Sequence, residues 1–503
     1  MQEAVERLGS RLENSFFAKK PNEWHRSRGY YTWCSGPRRA KMNFQDVTPA
    51  FLRLRYSPGC HPATAVPDGR TACDAGIPSP AREPACYTQT TGHPEGADVV
   101  YDGGPRLEVT VGHSGADFTG ADHLALQGAV DYVAKMGGGV VRILPGIYEM
   151  GNSLFIREKV DIVGSGDDTI LRKCRSARTR LALDIDWYSN RVSVKDPSIF
   201  SVGGGLLLRG RSPHFDRQQF VKRTVIAIQG SDVYINEEPR ENFWLETKPE
   251  ACTLFPVITG NYVNEVTIEG LCIDGNRAEN ENLDGNYGGC IFIQDCNHIT
   301  VRDVTCRDYD GDGVSWQVCH DVTIEDCRSL NNAGLGLHPG SGSQRPIIRN
   351  NHIVGASQGL FFCWGVKYGI AEGNVIEDCG KYGISIGHHD TDNLIRNNVI
   401  RRSHEVGIYF REHPAPTRDP HRNVFEGNLI VDSGRAAKGD AVAIDMNGTA
   451  EDVILRRNQV VDTRRKAKDR RRIGLRIGER VKRLCVEGMT YRGMEQEVVD
   501  LRK

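Results

Sequence analysis

Asp312, His338, His388, Tyr409 and Arg411 are the side chains of this 503-residue chain best suited to move protons or offset charge. Histidine exchanges a proton near neutral pH. A phenol or carboxyl donates or accepts one, and a guanidinium stabilises negative charge that develops beside it. Gln294, Gln317, Phe361, Trp364, Lys367 and Glu412 lie at neighbouring positions of the same pattern and are the candidate ligand-binding set. Two other chemistries are open. Asp312 with Glu412 or Asp390 would form an acid pair, and Asp310 with Asp312 would offer oxygen ligands to a calcium ion. The run His388-His389-Asp390 lacks a third ligand at a spacing that points to zinc.

What must position these residues is a repeat. An apolar residue, two or three polar ones, a fixed amide and further apolar residues recur from about Leu271 to Met489. The fixed slot holds Asn351, Asn374, Asn398, Asn428 and Asn458, spaced 23, 24, 30 and 30 residues apart. Leu271, Val304 and Cys327 take the slot upstream, and Met489 takes it downstream. A fixed period of this size predicts stacked coils. Their asparagines are expected to bond backbone groups that would otherwise be buried unpaired.

Each repeat also carries a strand that usually begins with glycine: Cys290–Gln294, Gly313–Gln317, Gly334–His338, Gly359–Cys363, Gly383–Gly387, Gly407–Arg411 and Ala441–Asp445. Side chains alternate along a strand, so the apolar second and fourth residues point inward and the third and fifth outward. This alignment puts Gln294, Gln317, His338, Cys363, Gly387, Arg411 and Asp445 in one outer column, and Phe292, Ser315, Gly336, Phe361, Ser385, Tyr409 and Ala443 in another. At roughly 4.8 Å per rung, His338 and Arg411 would stand about 14 Å apart across a hollow left by Cys363 and Gly387.

The stretch Gly115-Ala116-Asp117 to Met150 resembles the N-terminal cap and first rung of the pectin-lyase-like superfamily. It has a capping helix after Asp122, the cluster Gly137-Gly138-Gly139 and the turn Leu144-Pro145-Gly146-Ile147-Tyr148, one proline short of the family's form. The resemblance, with the repeats, covers about Leu107 to Met489. It implies an all-β fold: a right-handed parallel β-helix with an N-terminal capping helix. It also implies that one sheet carries a groove for a poly- or oligosaccharide, where aromatic faces cover sugar rings while amides and guanidinium groups bind hydroxyls and carboxylates. The superfamily holds lyases, epimerases, hydrolases and phage tailspikes. For lyase or epimerase chemistry on a uronate, His338 or His388 is the base, Arg411 or Lys367 the neutraliser and Tyr409 the donor. A hydrolase would use Asp312 and a second carboxylate. Asp310-Gly311-Asp312-Gly313 resembles the Gly-Asp-Asp element of polygalacturonase-like enzymes, but Gly313 replaces the second Asp, and Leu335 stands where those enzymes have His. A carbohydrate-binding or adhesive β-helix is the non-catalytic alternative.

Residues 1–100, rich in Pro, Gly, Arg and Cys, read as a poorly ordered extension before a parallel β-helix domain at 101–495. An insertion at about 174–256 carries Trp187, Tyr188 and Trp244, expected either to wall a groove or to pack the insertion. A formal net charge of −1 argues against a nucleic-acid partner, and the basic run Arg464–Arg472 reads as a solvated loop. No apolar run is long enough for a membrane span. The first twenty residues lack the apolar core of an export signal, so a secreted or periplasmic place would require a different start. The odd count of 15 cysteines suits reduced, stacked thiols.

Overall fold

The computed structural model describes residues 105–413, 415–435, 440–465 and 471–503, so the expected extension at 1–100 lies outside the described residues. The helix His123–Lys135 begins at Asp122, whose carboxylate accepts the N–H groups of Leu124 and Ala125 at 3.0 and 3.2 Å. It buries Leu126, Ala129, Val130 and Val133 over the first coil. Behind it the chain winds as a parallel β-helix around one continuous apolar core. Two faces of the coil join in a 21-stranded sheet, because long strands such as Asn264–Asp274 and Asn297–Arg307 run through a corner. The third face is an 11-stranded parallel sheet from Leu154–Phe155 to Gln496–Asp500. It carries the candidate residues and is called the outer sheet below.

Left-handed backbone turns make the corners. Residues with φ between 51° and 65° stand directly before the repeat slot on successive coils: Gly270, Asp303, Asp326, Asn350, Gly373, Asn397, Gly427, Arg457 and Gly488. Glycine, Asn and Asp tolerate that conformation best, and all of these residues but Arg457 are of those types. The slot then bonds upward. Asn398 Oδ1 accepts Asn374 N–H at 3.0 Å and Asn374 Nδ2 at 2.8 Å, and its own Nδ2 donates to Ala371 O and Asn428 Oδ1 at 2.9 Å each. The same pattern starts at Cys327, whose N–H donates to Asn351, and ends where Asn458 donates to Met489 Sδ. A second, shorter ladder of Asn393 and Asn423 lines another corner, where the sequence reading had none. The thiols also stack: Cys296 N–H donates to Cys319 Sγ at 3.4 Å, and Cys319 N–H to Ser343 Oγ at 3.1 Å. Every cysteine among the described residues is a free thiol.

The outer sheet differs from the predicted alignment at two rungs. Ser315 pairs with His338 rather than Gly336, and Tyr409 pairs with Asp445 rather than Ala443. Both rungs slip by two residues. A slip of two keeps every side chain on its predicted face, so inward and outward assignments stand while columns change. The cause is local. Gly334-Leu335-Gly336-Leu337 offers two Gly-Leu phrases, and the fold uses the second. A Cβ on Gly313 would lie 2.5 Å from Gly336 O, and one on Gly336 would lie 2.6 Å from Gly359 O; Gly359, Gly383 and Gly407 are equally tight against the next rung. Ala443 serves as the corresponding rung after Gly407.

The insertion forms its own six-stranded antiparallel sheet between Arg178–Arg180 and Glu250–Cys252, around Ile185, Val192, Leu206, Leu208 and Phe243. Trp187 and Tyr188 remain exposed, and Trp244 packs against His214 and donates to Asp186. The basic run is not wholly a solvated loop. Arg472 is buried and paired with Glu495 and Asp462, and Arg471 pairs with Asp440. No helix among the described residues is long and apolar enough to cross a membrane.

Replacing Asn398 with Ala strands the buried N–H of Asn374 and the carbonyl of Ala371. We expect a loss of about 2–5 kcal/mol, read as a lower denaturant midpoint. An unchanged midpoint would mean that the ladder contributes nothing to stability.

Candidate functional site

With the corrected register, one outward column reads Thr259, Phe292, Ser315, His338, Phe361, Ser385, Tyr409, Asp445 and Arg476. It divides into a covered half and an open half.

The covered half centres on Asp312. This carboxylate is 0% exposed, accepts Leu335 N–H at 2.8 Å and lies 2.8 Å from His338 Nδ1. Burial raises its pKa against the pull of His338. Ser315 Oγ stands 3.3 Å from the same imidazole nitrogen, and Gln317 Nε2 donates to that hydroxyl. His338 Nε2 is buried without a partner. A strap of chain, residues 282–289, closes over this group. Ser315 donates to Gly285 O at 2.6 Å, and a Cβ on Gly285 would fall 1.7 Å from Asp312 Oδ2. The strap is held in turn by the insertion: Lys222 Nζ donates to Tyr287 O at 2.6 Å, and the Phe220 ring packs tilted against Tyr287 at 4.4 Å. Lys222 Nζ also stands 3.9 Å from the centre of the Phe292 ring, which is thereby buried. Burial lowers Lys222 to about 7.

The open half centres on Arg411. Its guanidinium lies 4.2 Å from the centre of the Phe361 ring, donates to Ser385 Oγ at 2.6 Å and to the Phe362 carbonyl, and meets Asp390 Oδ2 at 3.3 Å. The side chain folds across Gly387, where a Cβ would sit 2.8 Å from Arg411 Cβ. The hollow expected at Gly387 is therefore occupied by Arg411 itself. Asp390 is 0% exposed and accepts the N–H groups of Gly365, Val366 and Gly387. Burial pushes it up to about 7 against the pull of Arg411 and those donors. Tyr409 stacks on Tyr382 at 4.4 Å, and burial raises both phenols. His388 packs against Trp364 with its ring tilted, at 5.0 Å, and meets His413 edge-on at 5.0 Å. Burial first, then the neighbouring basic groups Arg411, His413, Arg418 and His389, hold His388 down to about 4, so it is a neutral imidazole at physiological pH.

Thus Phe361 joins the two halves, with His338 edge-on at 5.4 Å and Arg411 over its face. Gln294 bonds its neighbour Asp295, and Glu412 pairs with Arg480; neither reaches these clusters through the contacts described. Asp310 accepts from Asn282 while Asp312 is committed to His338 and Leu335, which separates the tasks of the two suggested calcium ligands. Among the described residues no group of three His, Cys, Asp or Glu side chains stands close enough to hold a metal ion. Sequence reasoning missed Tyr382, the strap and Lys222. Tyr382 carries a signal, an aromatic directly before the Gly383 strand. The other two depend on contacts made across the insertion and had none.

The family described as "Right handed beta helix region" matches residues 289–460. No curated protein matches the chain. Among solved structures it is similar to the mannuronan C-5 epimerase AlgE6 A-module of Azotobacter vinelandii, with 13% identity, 75% of this chain and 91% of that one covered, and a TM-score of 0.43. It is similar to a hyperthermoactive exopolygalacturonase from Thermotoga maritima, with 11% identity, coverage of 77% and 94%, and a TM-score of 0.42. It is also similar to PfbA, a surface adhesin of Streptococcus pneumoniae, with 11% identity, coverage of 75% and 89%, and a TM-score of 0.43. These likenesses are too distant to bear on a reaction.

Gly285→Ala must lift the strap from Asp312. We expect faster amide exchange over residues 282–289 with unchanged protection in the coils from 370 onward. Unaltered exchange in the strap would show that it does not rest on the carboxylate as described.

Proposed function

We propose that this chain, a right-handed parallel β-helix whose N-terminal cap resembles the pectin-lyase-like superfamily, acts on a uronate-containing polysaccharide by abstracting the proton beside the sugar carboxylate. Elimination or epimerisation follows from that step. The observation that carries the reading is the trio gathered on the open half of the outer sheet: a neutral His388, a cationic Arg411 and a protonated Tyr409. Removing a proton beside a carboxylate needs a free base, a positive charge near the enolate-like oxygens and an acid to return or supply a proton. His388 is the base, since a group held down to about 4 is unprotonated throughout the neutral range. Arg411 is the neutraliser, and Tyr409, whose phenol keeps its proton, is the donor.

The hydrolase alternative is weaker on the same geometry. It needs two carboxylates flanking a glycosidic bond, whereas Asp312 and Asp390 are both 0% exposed and committed to internal hydrogen bonds. Glu412 alone is exposed, and it pairs with Arg480. A binding-only groove would use the same aromatic faces and predicts affinity without product.

Incubation with acidic and neutral polysaccharides separates these readings. Elimination produces an unsaturated sugar that absorbs near the ultraviolet edge, while hydrolysis yields only new reducing ends. For the enzyme reading we expect ultraviolet product, or an altered uronate configuration, from acidic chains only. Tyr409→Phe should lower kcat by about 10²-fold with little change in KM. Arg411→Lys should fall by a similar or larger factor, because the forked contacts to Ser385 and Phe362 are lost. Since the folded protein keeps His388 unprotonated at neutral pH, kcat should drop through about 4 as the ring gains a proton. A rate that rises in that acid range would remove His388 as base.

A further inference from the structure

The step between the covered and open halves of the outer sheet lies across the path of any chain laid along its outward column. Phe292, Ser315 and His338 point outward, yet all three are buried. Farther along the same column, Phe361, Tyr409 and Arg476 are partly exposed. Residues 282–289 make the difference. They connect the short helical turn Arg277–Glu279 to the outer strand Ile291–Gln294, and on the way they reach over the rungs of Ser315 and His338.

This strap is braced from two sides. Its tip is a tight turn in which Asp284 O accepts the N–H groups of Tyr287 and Gly288 at 2.8 and 3.0 Å. On the coil side, Leu283 N–H and Asn282 Nδ2 donate to Asp310 O at 2.9 and 3.0 Å. On the insertion side, Leu283 is buried with Leu207, Cys252 and Leu254, while Lys222 and Phe220 hold Tyr287. Segments with buried apolar contacts and shielded hydrogen bonds open rarely, so the strap and the sheet behind it form a wall.

A sugar chain is held by the rungs it crosses, its ring faces on aromatic side chains and its hydroxyls and carboxylates on polar ones. From Phe361 toward His338 the column offers no such contact, because its side chains lie under the strap. Tyr409 stands two rungs on the other side of Phe361, about 10 Å at the usual strand spacing. The proposed reaction therefore lies close to the wall.

We propose that the strap 282–289, backed by the insertion, is an end stop, so that the open half takes the terminus of an acidic polysaccharide and not its middle. This rests on the reading of the open half as a uronate site and adds where on the polymer that site acts.

Light scattering of the full chain with polygalacturonate and polymannuronate, each in fractions that differ about tenfold in length, counts the proteins held by one polymer. We expect one protein per polymer at every length, and any products to be very short from the first turnover. Replacing residues 284–287 by a single glycine removes the turn that forms the tip. In that variant, shown to be folded by a cooperative melt, the number bound should rise roughly in proportion to length. A wild-type count that grows with length, or long products early in the reaction, overturns the proposal, and so does a count that stays at one when the folded variant lacks the tip. One protein per polymer with no product leaves the end stop standing and removes the proposed reaction. Products cut from the middle of the chain do the reverse. No binding to either polymer removes the uronate reading and the end stop with it.

Discussion

Every coil of this protein must satisfy its backbone hydrogen bonds from the coils above and below, and that requirement organises the whole molecule. Strands do this with parallel pairing, but each corner breaks the pairing and leaves donors and acceptors buried. The asparagine ladder closes the gap with a side chain that copies a peptide group: its oxygen accepts from the coil before and its nitrogen donates back to that coil's carbonyl. Because each asparagine bonds the next one as well, the ladder locks coil to coil in register. Register in turn decides which side chains share the outer face.

On that face the fold treats its polar residues in two ways. Asp312, Ser315 and His338 bond to one another beneath a strap, and the strap is pinned by a lysine from a separate sheet. Arg411, Tyr409 and His388 are only partly buried, and their internal partners fix their orientation. Asp390 illustrates the difference. It is a buried carboxylate that faces no ligand, yet its two oxygens join the turn after one strand to the arginine of the next. The proposed chemistry uses the open half, and the sealed half gives that sheet its shape.

Much of this was legible in the sequence. Alternation fixed which residues of each strand face outward, and the asparagine spacing fixed the coils. Columns were legible only up to a shift of two residues. At Gly334-Leu335-Gly336-Leu337 the alternating pattern fits equally well in either register, and only the close approach of Gly336 to Gly359 chooses between them. That choice moved His338 from the column of Arg411 to that of Ser315 and Phe361. The strap and Lys222 were not legible, because no local pattern tells where residue 222 will meet residue 287. The hollow expected between His338 and Arg411 failed for a related reason: small residues leave space, but a long neighbour fills it.

The central claim is that the open half of the outer sheet removes the proton beside a sugar carboxylate. Running the reaction in heavy water on oligouronates and following that carbon by mass spectrometry and NMR tests it most directly. The account predicts that this carbon either loses its hydrogen to give an unsaturated sugar or returns carrying deuterium. Cleaved chains whose carbon keeps its original hydrogen, or bound chains left wholly unchanged, would contradict it.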